Sequence, residues 1–423
     1  MKKKLFLVTD CFPYGKGEKT FIIPELPYLR QNYDVTIITR AGRQVIEDVD
    51  DITKLEPEIK VIHIIDYMKT KKPNALQRKL RILYLFDRTV RQEFADIIKG
   101  SNAIHRLKYM FSYYANARKF LYALKKAELP LESQEPIVFY TYWHTYATLA
   151  LLMCKEKNPN LKVITRTHGY DLYNERTNCG RQPFRAYANS SIDAIFFISR
   201  LGLNYYAEKF SKGSILPIFR LNRLGIHNLC RIEHQKSEGA FQLVSCSNVV
   251  PGKRVEMIID ALAKIDSAKE INWVHFGDGQ NMKAVKEKAS QLLDKKKNIS
   301  YAFAGFVPNN EIMQYYIEHY IDCFITTTVS EGIPVSIMEA CSFGIPIIAT
   351  NVGGIPEIVE DNVNGLLLHA NPDVSEVKNA IEQLYDMPEE QTMLMRHHSR
   401  KIWEEGYDGQ KNFAEFVKCL DDI

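Results

Sequence analysis

No cysteine pair in this chain has the spacing of a metal site or a redox motif. The eight cysteines, at 11, 154, 179, 230, 246, 323, 341 and 419, are scattered and form no CxxC. Several lie in apolar runs such as IDCFITT (321–327), where a reduced thiol behaves as a small hydrophobe. The pattern excludes a disulfide scaffold and a cysteine zinc site, and it points to a reducing compartment. Long apolar runs are missing as well: nothing approaches the roughly 18–20 residues of a membrane span. The basic start, MKKKLFLVTD, is cut off by Asp10 before it reaches the length of a secretory signal, and it reads as a first strand. A cytoplasmic location follows as the expectation. The chain also has no low-complexity tract and no short-period repeat. Overall charge is small, at +4, but unevenly spread. Residues 69–126 hold fifteen Lys/Arg against three acids, Asp87, Glu93 and Asp96.

What is present is a strand-helix alternation that runs twice. At 423 residues the chain suits two domains of ordinary size. In the first half KLFLVTD (4–10), DVTIITR (34–40), KVIHII (60–65), IVFYTYW (137–143), KVITRTH (162–168) and DAIFFIS (193–199) read as strands. They are nearly continuous in β-branched and aromatic residues, as strands covered on both faces must be. The second series is FQLVSCS (241–247), NWVHFG (272–277), YAFAGF (301–306), DCFITTT (322–328), IPIIAT (345–350) and GLLLH (365–369). Helical patterns lie between, which implies parallel sheets and an α/β fold class. Two Rossmann-like, doubly wound domains facing across a cleft are expected, over 1–215 and 216–400, with a linker near 211–240. Ligands of such sheets bind beyond the carboxyl ends of the strands.

One stretch, SEGIPVSIMEA (330–340), sets two glutamates around seven mostly apolar residues. It follows the strand DCFITTT. Pro334 suits the first turn of a helix, where a missing N–H costs nothing, and Gly344 suits its left-handed end. Glu331 then lies on the loop at a strand's carboxyl end, and Glu339 about a turn and a half into an apolar helix. The free amides at the helix start favour an anion. A buried carboxylate needs donors or costs several kcal/mol. A vicinal diol supplies two, so the pattern fits a nucleotide diphosphate sugar. The alternative is that Glu339 pairs with a lysine and Glu331 caps a turn.

The longer run TTTVSEGIPVSIMEACSFGIPIIATNVGGIPEIVEDNVNGLLL (326–368) resembles the signature of retaining glycosyltransferase family 4, with its E-x7-E motif. The resemblance implies the GT-B fold and the transfer of a sugar without cofactor or metal. It implies that Glu331 contacts donor-sugar hydroxyls and Glu339 the ribose, with Gly332, Ile333, Pro334 and Val335 along the donor. The family's basic pair on the first unit of the second domain is an Arg and, five residues on, a Lys. Here Lys253 matches, while Asn248 stands at the Arg position and Arg254 is the neighbouring candidate. AGFVPNNEI (304–312) matches the loop against the nucleobase, which makes Gly305 and Phe306 candidates. GDG (277–279) resembles a further turn of that domain. PYGKGEKTF (13–21) is not a phosphate-binding Walker loop, because Glu18 stands where a Gly must be. It resembles the family's first glycine-bearing loop, so Gly15 and Gly17 are donor candidates.

In YTYWHTYATLA, His144 matches the family histidine near the reaction centre. In RTHGYDLY, His168 and Asp171 match an H-G-x-D element on the acceptor side; Asp171 as a helix N-cap is the alternative. His144, Glu331 and Lys253 are thus the catalytic candidates. A last helix, within 401–423, would cross back to the first domain. The DxD of Asp48 and Asp50 lies in a charged run and reads as solvated loop. The expected partners are a nucleotide sugar and a glycan or polyprenyl-diphosphate-linked acceptor of surface-glycan synthesis, not nucleic acid. Residues 69–126 mix Lys/Arg with Tyr, Phe and Leu at helical spacing. They read either as a surface for anionic membrane or as helices whose aromatics pack inward. A sugar-nucleotide epimerase and a non-catalytic partner with a degenerate donor site are the competing readings.

Overall fold

In a computed structural model the structure describes residues 2–14, 16–41, 59–68, 80–98, 100, 102–228, 239–266 and 268–423. The chain divides into two compact units, Met1–Leu224 with Phe413–Ile423, and Gly225–Asn412.

The first unit is built on a seven-stranded, wholly parallel sheet of order β3-β2-β1-β4-β5-β6-β7. Its strands are β1 Lys3–Thr9, β2 Tyr33–Thr39, β3 Lys60–His63, β4 Ile137–Thr141, β5 Leu161–Thr167, β6 Ala194–Phe197 and β7 Phe219–Leu221. The two-residue period of a strand explains its two cores. Phe6 and Val8 of β1 point into one cluster, with Met110, Tyr114 and Phe120 of the helix Ala103–Lys126. Leu5 and Leu7 point into the other, with Ile22, Leu26 and Leu29 of the helix Lys16–Asn32. The second face is closed by the last helix, Gly409–Asp421, through Phe416, Val417 and Leu420. Tyr33 donates to Asp421 at 2.8 Å on the same face.

The strand β7 lies inside the stretch that the sequence presents as linker. It is only three residues long and follows Pro217, with Phe219 buried and Arg220 exposed, so no apolar run announces it. It is ordered by pairing with β6, Ile195 against Phe219.

The second unit repeats the plan with a six-stranded parallel sheet of order β10-β9-β8-β11-β12-β13. The strands are β8 Phe241–Cys246, β9 Ile271–Phe276, β10 Ile299–Gly305, β11 Cys323–Thr326, β12 Ile347–Thr350 and β13 Gly365–Leu368. In each sheet the strand order reverses once, between β1 and β4 and between β8 and β11. A crevice beyond the strand ends opens at such a switch point. Both Rossmann-like sheets therefore present a ligand position at a place fixed by topology.

One buried ion pair holds the first sheet to its helix. Arg166 of β5 meets Glu25 of the helix Lys16–Asn32 at 2.8 Å, both almost fully buried, while Arg166 donates to Asn222 at 2.9 Å. Its guanidinium lies 4.4 Å from the centre of the Phe416 ring. Removing one partner leaves a buried charge unpaired. Arg166→Met is expected to cost about 3–5 kcal/mol in denaturant unfolding, and Glu25→Leu added to it to recover most of that loss.

Candidate functional site

In the second unit, the turns after β8 and β11 are laced together by backbone contacts. Val329 N–H donates to the Gly252 carbonyl at 2.9 Å, and the Thr327 hydroxyl to the Arg254 carbonyl at 2.9 Å. This fixes Lys253, at the end of the turn Pro251–Lys253, against Glu331. The two half-buried side chains form an ion pair. Burial draws the Lys253 ammonium below the usual lysine range.

The loop carrying Glu331 is clamped from the other side by the turn after β12. Gly353 sits at φ +55°, and a Cβ there would lie 1.8 Å from the Glu331 carbonyl oxygen. Gly354 N–H donates to the Gly332 carbonyl at 2.9 Å. Only glycine allows backbone to approach so closely.

The helix Val335–Ser342 starts at Pro334 and ends with Gly344 at φ +67°. The amides of Gly332, Ile333, Val335 and Ser336 have no hydrogen-bond partner among the described residues. Such a helix end attracts anions. Glu339 is buried, at 4% exposure, and accepts one hydrogen bond, from Asn309 Nδ2 at 2.5 Å. Burial lifts its carboxyl to about 7, against the pull of the Asn309 bond. Glu339 thus takes an amide rather than a lysine, and the lysine pairs with Glu331. Asn309 opens the helix Asn309–Glu318 and was not singled out from sequence. Its amide is an ordinary helix-start residue by pattern.

Other candidates of this unit fall around the same strand ends. Asn248 is exposed. Arg254 takes φ +50° and turns its guanidinium to the carbonyls of Thr327, Thr328 and Ala370 and to the Asn371 side chain. It braces the β11 and β13 ends instead of standing beside Lys253. Gly305, at φ +72°, accepts from Gly277 N–H at 2.7 Å, and Phe306 beyond it is 72% exposed.

In the first unit the site lies at the carboxyl ends of β1, β4 and β5. Asp171 is buried and accepts from the backbone amides of His144 at 2.8 Å and His168 at 2.9 Å. It therefore ties two loops together and does not cap a helix. Burial raises its carboxyl to about 6, against these bonds. Arg185 locks the arrangement by donating to the carbonyls of His144 and Asp171 at 2.8 and 2.6 Å. His144 is buried, with Nδ1 unpartnered among the described residues, and burial holds its pKa well below the ordinary histidine value, with Arg185 adding to the effect. His168 meets the Tyr142 carbonyl at 3.2 Å and is held down at about 3, chiefly by burial. Both imidazoles are neutral.

Gly15 and the pair Asp48 and Asp50 lie outside the described residues, and Gly17 lies in the first turn of the helix Lys16–Asn32. The loop after β1 is organised by Glu18, which accepts from the amides of Asp10, Cys11 and Phe12 at 2.9, 2.7 and 2.6 Å and from the Trp143 indole. These three amides, just ahead of the glycine-bearing stretch, are held by the protein's own carboxylate. Nothing in sequence marked Glu18 beyond its standing in place of a glycine, and nothing marked Arg185.

Comparison with known proteins bears on this geometry. Residues 229–401 match the family model Glycosyl transferases group 1. The match spans most of the second unit, Gly225–Asn412. Over the whole length, the chain is 25% identical to an uncharacterized glycosyltransferase of Haemophilus influenzae, covering 99% of this chain and 100% of that one. A shorter match, 42% over 69 residues, links it to the amylovoran biosynthesis glycosyltransferase AmsK of Erwinia amylovora, covering 15% of this chain and 16% of that one. Among solved structures, HepE of Anabaena in complex with UDP shares the fold, with TM-score 0.66, 17% identity and full coverage of both chains. That likeness makes the fold GT-B.

The raised Glu339 carboxyl carries a testable sign. Between about 4.3, the unfolded glutamate value, and 7, the folded chain keeps a proton that the unfolded chain releases. Glu339 therefore takes stability away as the pH rises through that window. Glu339→Gln, which cannot ionise, should gain in Tm relative to the unsubstituted chain from about pH 4.3 to 7 and hold that gain above it.

Proposed function

We propose that the chain is a retaining, metal-independent glycosyltransferase of family 4 that moves a sugar from a nucleotide diphosphate sugar to a glycan or lipid-linked glycan. One observation carries the reading: four unpartnered amides at a helix start, flanked by the Lys253–Glu331 pair and the under-supplied Glu339. A diphosphate meets the amides and Lys253, a ribose diol meets Glu339, and donor-sugar hydroxyls meet Glu331. The group 1 match supports this, as does the UDP bound by a protein of the same fold.

The chemistry uses the same groups. As the C1–O bond to the diphosphate breaks, negative charge grows on the departing phosphate, where the amides and Lys253 stabilise it. An acceptor hydroxyl attacking from that face forms the new C1–O bond and gives its proton to the departing oxygen. Configuration is retained without a protein nucleophile. Neutral His144 offers its free ring nitrogen to a sugar hydroxyl. The name of the amylovoran relative supports an acceptor in surface-glycan synthesis.

A nucleotide-sugar panel in EDTA tests the reading by mass spectrometry and calorimetry. Glu339→Ala should weaken nucleotide affinity about 100-fold or more, the worth of two charge-assisted hydrogen bonds, and Glu331→Ala should lower turnover with affinity nearly kept. Release of the free sugar nucleotide's epimer without acceptor would favour an epimerase. Nucleotide binding with no transfer would favour a non-catalytic subunit, the reading to which Asn248 lends weight.

Membrane contact belongs to the same proposal. Large apolar residues of the basic segment divide: Tyr114 and Phe120 pack inward, while Ile82, Phe86 and Ile104 are 61%, 82% and 73% exposed. Arg81, Arg88 and Arg91 share this stretch. No helix among the described residues is long and apolar enough to cross a membrane. Phe86→Asp with Ile104→Asp should abolish sedimentation with phosphatidylserine-containing vesicles at low salt and leave binding of nucleotide unchanged.

A further inference from the structure

The first unit contains a cavity of about 270 Å³ at its switch point, between the carboxyl ends of β1 and β4. We propose that it seats the acceptor's terminal sugar and selects a neutral, hydroxyl-rich ring over one carrying carboxylate or phosphate. The proposal rests on the glycosyltransferase reading and names the substrate class of its acceptor side.

Charge in the cavity is self-compensated. Arg40 is the only cation among the described lining residues, and it is bound to Asp10 at 2.6 Å and to the Tyr146 hydroxyl. Tyr170 donates to the same Asp10 carboxylate at 3.1 Å. Arg185, behind the wall, is directed to the carbonyls of His144 and Asp171. An anionic ligand would therefore meet Asp10 and Asp171 with no unpaired cation among the described lining residues to offset its desolvation. Hydroxyls, by contrast, find partners. His144, 2% exposed, lines the cavity, its buried Nδ1 without a hydrogen-bond partner among the described residues, and Ser112 and Asn116 add a hydroxyl and an amide from the helix Ala103–Lys126. A buried, unsatisfied imidazole nitrogen is costly unless a ligand completes it.

Most of the remaining wall is aromatic. Tyr109, Tyr113, Tyr146 and Tyr170 contribute ring surface on which the C–H face of a pyranose stacks. The basic helix thus turns tyrosines, not its lysines, into the cavity.

Saturation-transfer NMR on the full chain distinguishes the cases, with methyl glycosides of neutral hexoses and N-acetylhexosamines set against the matching uronates and 6-phosphates. Neutral glycosides should receive saturation, and the charged ones should bind at least about tenfold more weakly. Ser112→Trp, which fills the cavity, should abolish transfer while nucleotide affinity and Tm stay as they were. Asp10→Asn releases Arg40 and should bring the uronates up to the level of the neutral rings. Tighter binding of the charged glycosides to the unsubstituted chain, or no response to any glycoside, would overturn the proposal. Retained nucleotide binding in that case would leave the glycosyltransferase reading standing, and a nucleotide panel without response would sink that reading instead.

Discussion

A carboxylate taken out of water must be given donors, and most of the functional architecture of this chain follows from how five of them are supplied. Glu18 receives three successive backbone amides and an indole N–H. Asp171 receives two amides from different loops, Glu25 a buried arginine, and Glu331 a lysine. Glu339 is the exception, with Asn309 its hydrogen-bond donor among the described residues. Asn309 is exposed at the start of a helix, so it can give way without disturbing the core. A group so placed is poised for a ligand that brings more hydroxyl donors than the protein does.

Topology determines where these carboxylates gather. Both sheets have parallel strands with one reversal of order, and each functional cluster lies at the carboxyl ends beside that reversal. Close backbone contact then sets the fine geometry. Gly353 and Gly354 press against the loop of Glu331, and Gly277 packs where a Cβ would lie 1.9 Å from the Ser247 carbonyl oxygen. The two units divide the chemistry: amides and charge in one, aromatic rings and neutral imidazoles in the other.

Much of this is legible in sequence because it is local. Strands such as KLFLVTD announce themselves by unbroken β-branched and aromatic residues, and the helix after SEGIP by Pro334 and Gly344. The strand β7 was not legible, since three residues with one exposed arginine carry no pattern and are ordered only by their neighbour β6. Lys253 and Glu331 could each be marked, but their ion pair depends on two turns from distant parts of the chain. Arg254 stood as the candidate to replace the basic residue missing at Asn248, and its left-handed backbone turns it to other carbonyls. Glu18, Arg185 and Asn309 act through long-range partners, a relation that spacing does not encode.

Burial leaves Glu339 poised to hold a proton near neutral pH until a ligand's hydroxyls replace Asn309. Difference infrared spectroscopy at pH 7 reads this directly, with Glu339→Gln as the control. A protonated-carboxyl band is expected that is absent from the control and disappears when the cognate nucleotide is added. A carboxylate already ionised in the free protein, or a band indifferent to nucleotide, would contradict it.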